Sequence, residues 1–317
     1  MAPLSGYTDL ALRRACRRHG AFYAFTPLVE AGAVVYGNPR TDTLLLRGDD
    51  EPWLGVQLLG SSCDRLAKAV RIVGELPFDL VDLNMGCPVR KVTKRGAGAA
   101  LCTDPELAAR CIDALVDHTS RPVSAKIRIL SRTDPAPTVS LAERLVASGI
   151  AALTIHGRVV ADVYSGPCQT DILQAVREAV PIPVIANGGI MNAVDASRIR
   201  QETGCSRIML ARGAVGNPWI FRALANPAYR GPSHQDVCDE IHHHVSGMVA
   251  LHGEHRGMRH ARKIIAAYLC GRGYRRAKRK QATALSTFAE FDRFLSEIRQ
   301  EGPTPAYLEQ QTSAAHT

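Results

Sequence analysis

No run of apolar residues approaches the roughly 18 that a membrane span requires. The N-terminus, Met1-Ala2-Pro3-Leu4-Ser5-Gly6, has no basic region ahead of an apolar stretch, so no secretory leader is expected. The nine cysteines are odd in number and include no Cys-x-x-Cys pair. That count and spacing argue against a disulfide framework or a zinc ribbon. A reducing, cytoplasmic location is the expectation. Low complexity is missing too: with 46% hydrophobic and 22% charged residues, the 317-residue chain has material for a large core. His242-His243-His244 resembles a ligand cluster, but three consecutive helix residues point in different directions and cannot chelate together. No metal is expected.

One segment lacks acid altogether. Arg256 to Lys280 holds ten basic residues (Arg256, Arg259, Arg262, Lys263, Arg272, Arg275, Arg276, Lys278, Arg279 and Lys280) and no Asp or Glu. The whole chain has 39 basic against 30 acidic residues, a formal +9, so this segment alone carries the excess. A concentrated patch of one sign is the footprint of a polyanion partner, with a nucleic-acid backbone favoured. The plainer reading is a solvated helix face. A membrane surface fits less well, because Met258, Ile264, Ile265, Tyr268 and Leu269 form one helical stripe suited to a core.

The first two-thirds of the chain alternates short apolar runs with amphipathic stretches. Eight candidate strands emerge: Met1–Leu4, Ala21–Phe25, Trp53–Leu58, Leu80–Met85, Val123–Ile129, Ala152–His156, Val184–Asn187 and Arg207–Leu210. Most intervals carry helix signals. Thr8-Asp9 opens a helix that Gly20 closes, Asp104-Pro105-Glu106 opens another, and Asn192 begins one ending near Gly204. Eight evenly spaced βα units favour a closed (β/α)8 TIM barrel over a doubly wound sheet. Met1 falls inside the first strand, so that strand is either very short or starts upstream. After Asn226-Pro227 the strand pattern stops, Gly231-Pro232-Ser233 reads as a linker, and residues 234–300 keep helical spacing. The expected organisation is an α/β TIM barrel over 1–230, a small all-α helical bundle over 231–302, and a disordered tail over 303–317.

A barrel builds its active site at the C-terminal ends of its strands. There the sequence places Gln57, Asn84, Cys87, Lys126, Arg128, His156, Asn187-Gly188-Gly189 and Ala211-Arg212-Gly213. Each alone has a structural reading, such as a satisfied core histidine or a barrel ion pair. Together, polar residues at one end of otherwise apolar strands point to a ligand. The last two turns, after the seventh and eighth strands, are where barrels hold phosphate, and Arg212 adds a charged donor. Gly96-Ala97-Gly98 lacks the dinucleotide-binding spacing. Lys126 suits either charge stabilisation beside a planar ligand such as a reduced flavin or a Schiff base. Cys87 opens a loop over the barrel mouth that continues with four basic residues, Arg90, Lys91, Lys94 and Arg95. An ordinary thiol is protonated at pH 7 and can donate.

These motifs resemble the tRNA-dihydrouridine synthase family. The likeness runs from Met1-Ala2-Pro3-Leu4-Ser5-Gly6-Tyr7-Thr8-Asp9 to about Leu295. It is carried by Asp82-Leu83-Asn84-Met85-Gly86-Cys87-Pro88, Lys126-Ile127-Arg128, His156-Gly157-Arg158, Pro183-Val184-Ile185-Ala186-Asn187-Gly188 and the stretch Arg212 to Phe221. Gly216–Phe221 and Ala261-Arg262-Lys263 resemble the bacterial B-type enzymes most. The resemblance implies an FMN-binding barrel, a helical tRNA-binding domain and a flavin-dependent oxidoreductase, with NADPH or NADH as reductant and a monomeric chain. It implies reduction of the C5=C6 bond of a D-loop uridine in tRNA. Hydride would pass from flavin N5 to C6, and Cys87 would give the proton to C5. It further implies that Pro3, Leu4 and Ser5 line the flavin ring and that Gln57 hydrogen-bonds it. Lys126 would sit at the N1–O2 edge near His156, and Asn84 would touch flavin or base. Asn187, Gly188, Gly189, Ala211 and Arg212 would hold the phosphate. Lys91, Lys94, Arg95, Arg259, Arg262, Lys263, Arg272, Arg275, Arg276, Lys278, Arg279 and Lys280 would grip tRNA. The chain departs from the family at Gly189, where an acid is usual, at Ala211, where glycine is usual, at Val159 for threonine and at Ile172 for tryptophan. On the residues alone three rivals stay open: a flavin barrel reducing a free pyrimidine or small enone, an aldolase using Lys126, and a non-catalytic tRNA-binding protein.

Overall fold

The computed structural model describes residues 1–314. Its sheet is wholly parallel: β1 (Ala24–Phe25), β2 (Val29–Glu30), β3 (Leu54–Leu59), β4 (Leu80–Met85), β5 (Val123–Arg128), β6 (Ala152–His156), β7 (Val184–Asn187) and β8 (Arg207–Met209). Strand order is β1-β3-β4-β5-β6-β7-β8, with β2 continuing the edge of β3. Helices follow β3 to β7 in turn, which gives the TIM-barrel architecture.

The alternation of side chains explains both the sheet and the site. On β4 and β5, Val81, Leu83, Met85, Ala125 and Ile127 are buried and face the helices by the two-residue period. The opposite face carries Asp82, Asn84, Ser124, Lys126 and Arg128. An apolar plug fills the barrel beneath part of this polar set, where Ala2, Phe25 and Met209 pack with Trp53, Leu80, Ile185 and Ala211. Gly55 makes room for it, because a Cβ there would lie 2.6 Å from the Phe25 ring.

One expected strand does not form, and one unexpected strand appears. Met1–Leu4 forms no ladder, since Pro3 has no N–H and Leu4 gives its own to Thr8 Oγ1 at 2.7 Å. The segment instead bridges the open edge. The Met1 ammonium donates to Tyr23 O at 2.8 Å, and Ala2 N–H donates to Leu210 O at 2.7 Å. Val29–Glu30, which the sequence reading did not single out, pairs with Leu58 and Leu59. The helix signals held where caps were visible. Asp104 accepts from Leu107 N–H at 3.0 Å, Asn192 accepts from Asp195 N–H at 2.8 Å, and Gly204 closes the Ala193–Thr203 helix with φ 64°.

The chain divides into two compact units. One contains Met1–Asp9 and Phe22–Arg212, and the other contains Leu10–Ala21 and the chain from Gly213 onward. The division therefore falls earlier than residue 230 and gives the first helix to the second unit. Three ties explain this. Arg18 Nη2 meets Glu240 Oε1 at 2.5 Å, His19 Nε2 lies 2.9 Å from Glu240 Oε2, and the His19 ring packs 5.2 Å from Trp219. Gly216 is held close as well, for a Cβ there would come within 2.4 Å of the Ala267 backbone. The long helices are His234–His252, Glu254–Leu269 and Phe288–Glu301. Ser233/Asp236 and Thr287/Glu290 form capping boxes at the first and third. Pro305–Ala314 is a further helix where a frayed tail was expected. Its start is anchored by Thr304 N–H on Gly273 O at 3.1 Å. Residues 315–317 of that tail lie outside the described residues.

Among the described residues no helix is long and apolar enough to cross a membrane, and no group of three or more His, Cys, Asp or Glu could hold a metal ion. The three adjacent histidines diverge: His242 stacks on Phe291, whereas His244 is buried with Nδ1 3.1 Å from Tyr268 Oη.

Candidate active site

An open cleft lies at the C-terminal ends of the strands, where a barrel builds its ligand site. It brings together Pro3, Leu4, Ser5, Asn84, Cys87, Lys126, His156, Asn187, Gly188, Gly189, Ala211 and Arg212. Of the residues expected to hold cofactor or to donate a proton, Gln57 alone is not on its wall. Gln57 is fully buried beneath it, donating from Nε2 to Asp82 Oδ2 at 2.7 Å and accepting from Asn84 Nδ2 at 2.8 Å.

The N-terminal turn is braced by Thr8, whose hydroxyl accepts from Leu4 N–H and donates to Ala2 O at 3.0 Å. This fixes Pro3-Leu4-Ser5 as one apolar rim. Opposite in character is the turn at Cys87. Asn84 Oδ1 accepts from Cys87 N–H at 3.0 Å and from Gly86 N–H at 3.3 Å. Cys87 O in turn accepts from Ala99 N–H at 3.0 Å. Both backbone polar groups of Cys87 are thus satisfied, and the half-buried thiol sits on a fixed frame. Gly98 lets the following loop fold back, since with φ 62° a Cβ would fall 2.8 Å from Cys87 O. The loop beyond is a helical turn, Arg90–Thr93, with Lys91, Lys94 and Arg95 exposed and Arg95 Nη1 3.3 Å from Glu30 Oε1.

Lys126 Nζ donates to Asn187 Oδ1 at 2.9 Å, and Asn187 Nδ2 donates to Met209 O at 2.7 Å. Burial draws the Lys126 ammonium down from 10.5 to about 8, against the upward pull of Asp82. Asp82 moves the other way, with burial raising its carboxyl to about 6 although Ser124 and Gln57 both donate to it. His156 is held neutral by burial and then by the charges of Lys126, Arg128, Arg158 and Arg212. Arg158 Nη1 lies 3.4 Å from His156 Nε2. A guanidinium can only donate, so that nitrogen accepts and the ring proton is on Nδ1.

Arg158, Tyr164 and Asp82 belong to this neighbourhood although the sequence assigns them no role in the site, and Arg128, expected at a strand end, joins them. Arg128 donates to Gly86 O at 2.8 Å and to Val163 O at 3.1 Å, while Arg158 Nε donates to Gly166 O at 2.9 Å. Arg212 Nη2 donates to Tyr164 O at 3.1 Å and its guanidinium lies 4.7 Å over the Tyr164 ring. Three arginines therefore hold the loop after β6 by its carbonyls. The sequence signal available was a run of apolar strands ending in unneeded charge.

Several basic residues of the second unit prove committed to the fold. Arg272 donates to Gly216 O at 2.9 Å, Tyr268 O at 2.6 Å and Asn217 Oδ1 at 2.8 Å, and lies 5.1 Å over the Trp219 ring. Arg262 Nε donates to Leu285 O at 2.6 Å. Lys278 pairs with Glu297 at 2.8 Å and Glu301 at 2.7 Å. Arg279 Nη1 lies 3.7 Å from Cys270 Sγ. Arg259, Lys263, Arg275, Arg276 and Lys280 are exposed. Arg276, Arg279 and Lys280 line a shallow groove with Ala266, Ala277 and Thr283.

Residues 1–301 match the family model described as dihydrouridine synthase. The chain belongs to the dihydrouridine synthase family. It is 34% identical over 276 residues to tRNA-dihydrouridine synthase B of Pasteurella multocida, covering 86% of this chain and 83% of the relative. It is 33% identical over 311 residues to the protein of the same name from Pseudomonas putida, covering 95% and 92%. Among solved structures, histamine dehydrogenase from Rhizobium sp. 4-9 superposes with a TM-score of 0.52 at 12% identity. That match covers 76% of this chain and 47% of the dehydrogenase, and it speaks to the barrel fold alone.

Proposed function

We propose that this chain is a tRNA-dihydrouridine synthase that reduces the C5=C6 bond of a D-loop uridine, with FMN as its cofactor and NADPH or NADH as reductant. The observation that carries the reading is the thiol of Cys87. It stands on a doubly fixed backbone at the rim of the same cleft that Lys126, His156 and the Gly188-Gly189 turn line.

The cleft fits a phosphorylated flavin. Gly188 and Gly189 have φ 115° and 71°, and a Cβ on Gly188 would lie 2.7 Å from His156 Cδ2, so the backbone itself faces the ligand. Arg212 supplies charge at this turn. The missing acid at Gly189 leaves an ordinary gap, because a Cβ there would be 3.4 Å from Cys168 Cβ. Ala211 packs against the apolar plug. Bound and reduced, the flavin supplies the hydride that adds to C6 of the base. Cys87 gives its proton to C5, is left as thiolate and recovers a proton from solvent, to which its half-buried position gives access. Lys126, held by Asn187, places positive charge where negative charge accumulates. His156 enters as a neutral Nδ1–H donor. Asn84 holds the Cys87 turn. A uridine buried in folded tRNA must leave its stack to reach such a cleft. The exposed cations Lys91, Lys94, Arg259, Arg275, Arg276 and Lys280 supply phosphate contacts.

The test is anaerobic. Flavin loaded on the protein should bleach with NADPH and regain colour on addition of tRNA lacking dihydrouridine, and free uracil should fail. Cys87→Ala should retain flavin and bleach normally, yet not recover with tRNA. Recovery with uracil as fast as with tRNA would favour a small-molecule enone reductase. Failure to take up any flavin would end the proposal.

A further inference from the structure

Four side chains running from beneath the cleft up to its wall form a line in which every hydrogen has one direction. Ser124 Oγ donates to Asp82 Oδ1 at 2.6 Å, and Gln57 Nε2 donates to Asp82 Oδ2 at 2.7 Å. Gln57 Oε1 then accepts from Asn84 Nδ2 at 2.8 Å, and Asn84 Oδ1 accepts from Cys87 N–H at 3.0 Å and Gly86 N–H at 3.3 Å. Asp82 is 2% exposed and Gln57 0%, so water does not offer itself as a substitute.

An amide has a donor end and an acceptor end, and either can face a given neighbour. Left alone, Gln57 and Asn84 could each turn over. An ionised carboxylate has acceptors only. At Asp82 it forces the Gln57 nitrogen downward, which puts the Gln57 oxygen toward Asn84. That in turn draws the Asn84 nitrogen down and leaves the Asn84 oxygen facing the turn. Turn Gln57 alone and its nitrogen confronts that of Asn84; let Asn84 follow and its nitrogen confronts the Cys87 N–H.

We infer that Asp82 is a positioning residue: it sets the polarity of the Gln57–Asn84 relay and so fixes the Cys87 turn from two residues below the cleft. It touches neither thiol nor ligand. The inference rests on the geometry of the Cys87 turn and holds whatever that thiol's substrate is.

The experiment reads the turn directly, by amide hydrogen exchange of the peptide spanning Met85 to Pro88 in the full chain. Asp82→Ala should speed exchange at Gly86 and Cys87 about tenfold, the loss expected for a freed hydrogen bond. Adding Gln57→Glu to Asp82→Ala should restore protection, because the carboxylate then presents an acceptor to Asn84 from one link higher. A packing role for Asp82 gives no such rescue. Asp82→Ala that keeps wild-type protection, or a folded double variant that stays unprotected, overturns the relay. Gln57→Leu supplies the same reading if Asp82→Ala fails to fold. It cuts the line with Asp82 intact and should expose the same two amides, and unchanged protection there also overturns the proposal. Cys87-dependent tRNA reduction is not part of the readout, so a failed catalytic assignment and a failed relay give different results.

Discussion

Replacing Lys126 with methionine should make the flavin-free protein more stable and inactive at once. The ammonium is drawn from 10.5 to about 8 by burial. At about 1.4 kcal/mol per pH unit, keeping it charged at pH 7 costs the fold about 3 kcal/mol. Methionine retains most of the aliphatic stem and removes that cost. Against this stands the Nζ bond to Asn187 at 2.9 Å, worth about 1 kcal/mol; the attraction of Asp82 is already contained in the value of about 8. The net gain should be about 1–2 kcal/mol, or a Tm higher by roughly 3–6 °C for a unit of this size. The sign has a pH signature. A lysine with its folded pKa below the unfolded one penalises the native state fully below pH 8, and the penalty fades as pH climbs from 8 toward 10.5. Thermal melts of wild type and Lys126→Met should therefore differ most at pH 7 and converge by pH 10. A variant that melts lower than wild type at pH 7, or a gap that stays constant to pH 10, refutes the account of Lys126 as a strained cation.

Three other outcomes follow from the same geometry. Gly188→Ala should lose about 1–3 kcal/mol of stability through its φ of 115° and its clash with His156, and a fluorescence titration should find FMN affinity down at least about tenfold. Arg276→Ala with Lys280→Ala should lower the slope of log affinity for tRNA against log salt by about one to two, with the Tm unchanged. Arg272→Ala should do the reverse, cutting the Tm by several degrees with no loss of salt slope, because its guanidinium serves Gly216, Tyr268 and Asn217. A salt slope that falls in Arg272→Ala would return that residue to the tRNA surface.

The barrel was legible because its outward residues are apolar at every second position and its caps are local. Asp104 and Asn192 announce their helices within three residues. The misplaced pieces depend on distant partners. Leu10–Arg18 reads like any barrel helix, and nothing near it in sequence announces Glu240, 222 residues from Arg18. Val29–Glu30 is too short for a period to show. Gln57 is expected at a strand end, yet it lies inside β3, paired with Asp82 and fully buried. A two-residue period tells inside from outside, however, and does not tell rim from floor. Arginine is harder still: Arg128 and Arg158 sit in motifs the sequence displays, but they end on loop carbonyls, which every residue owns, so no motif reveals their partners.

The polar interior of this barrel explains why its cleft should bind an anion. Among the described residues, the cleft wall carries Lys126, Arg128, Arg158 and Arg212 and no carboxylate. Arg128 and Arg158 offset part of their burial with neutral carbonyls, which satisfy hydrogens without cancelling charge. The nearest compensation for Lys126 is Asp82 beneath it, and that carboxyl is itself raised to about 6 by burial. Both groups remain mainly ionised at pH 7, so Asp82 offsets one of these four cations and leaves the others without a carboxylate on the cleft wall. A ligand with negative charge at Lys126 and at the Gly188-Gly189 turn relieves the excess at both ends. The same interactions that weaken the empty barrel are then those that hold the ligand, so stability given up in the free protein returns as affinity.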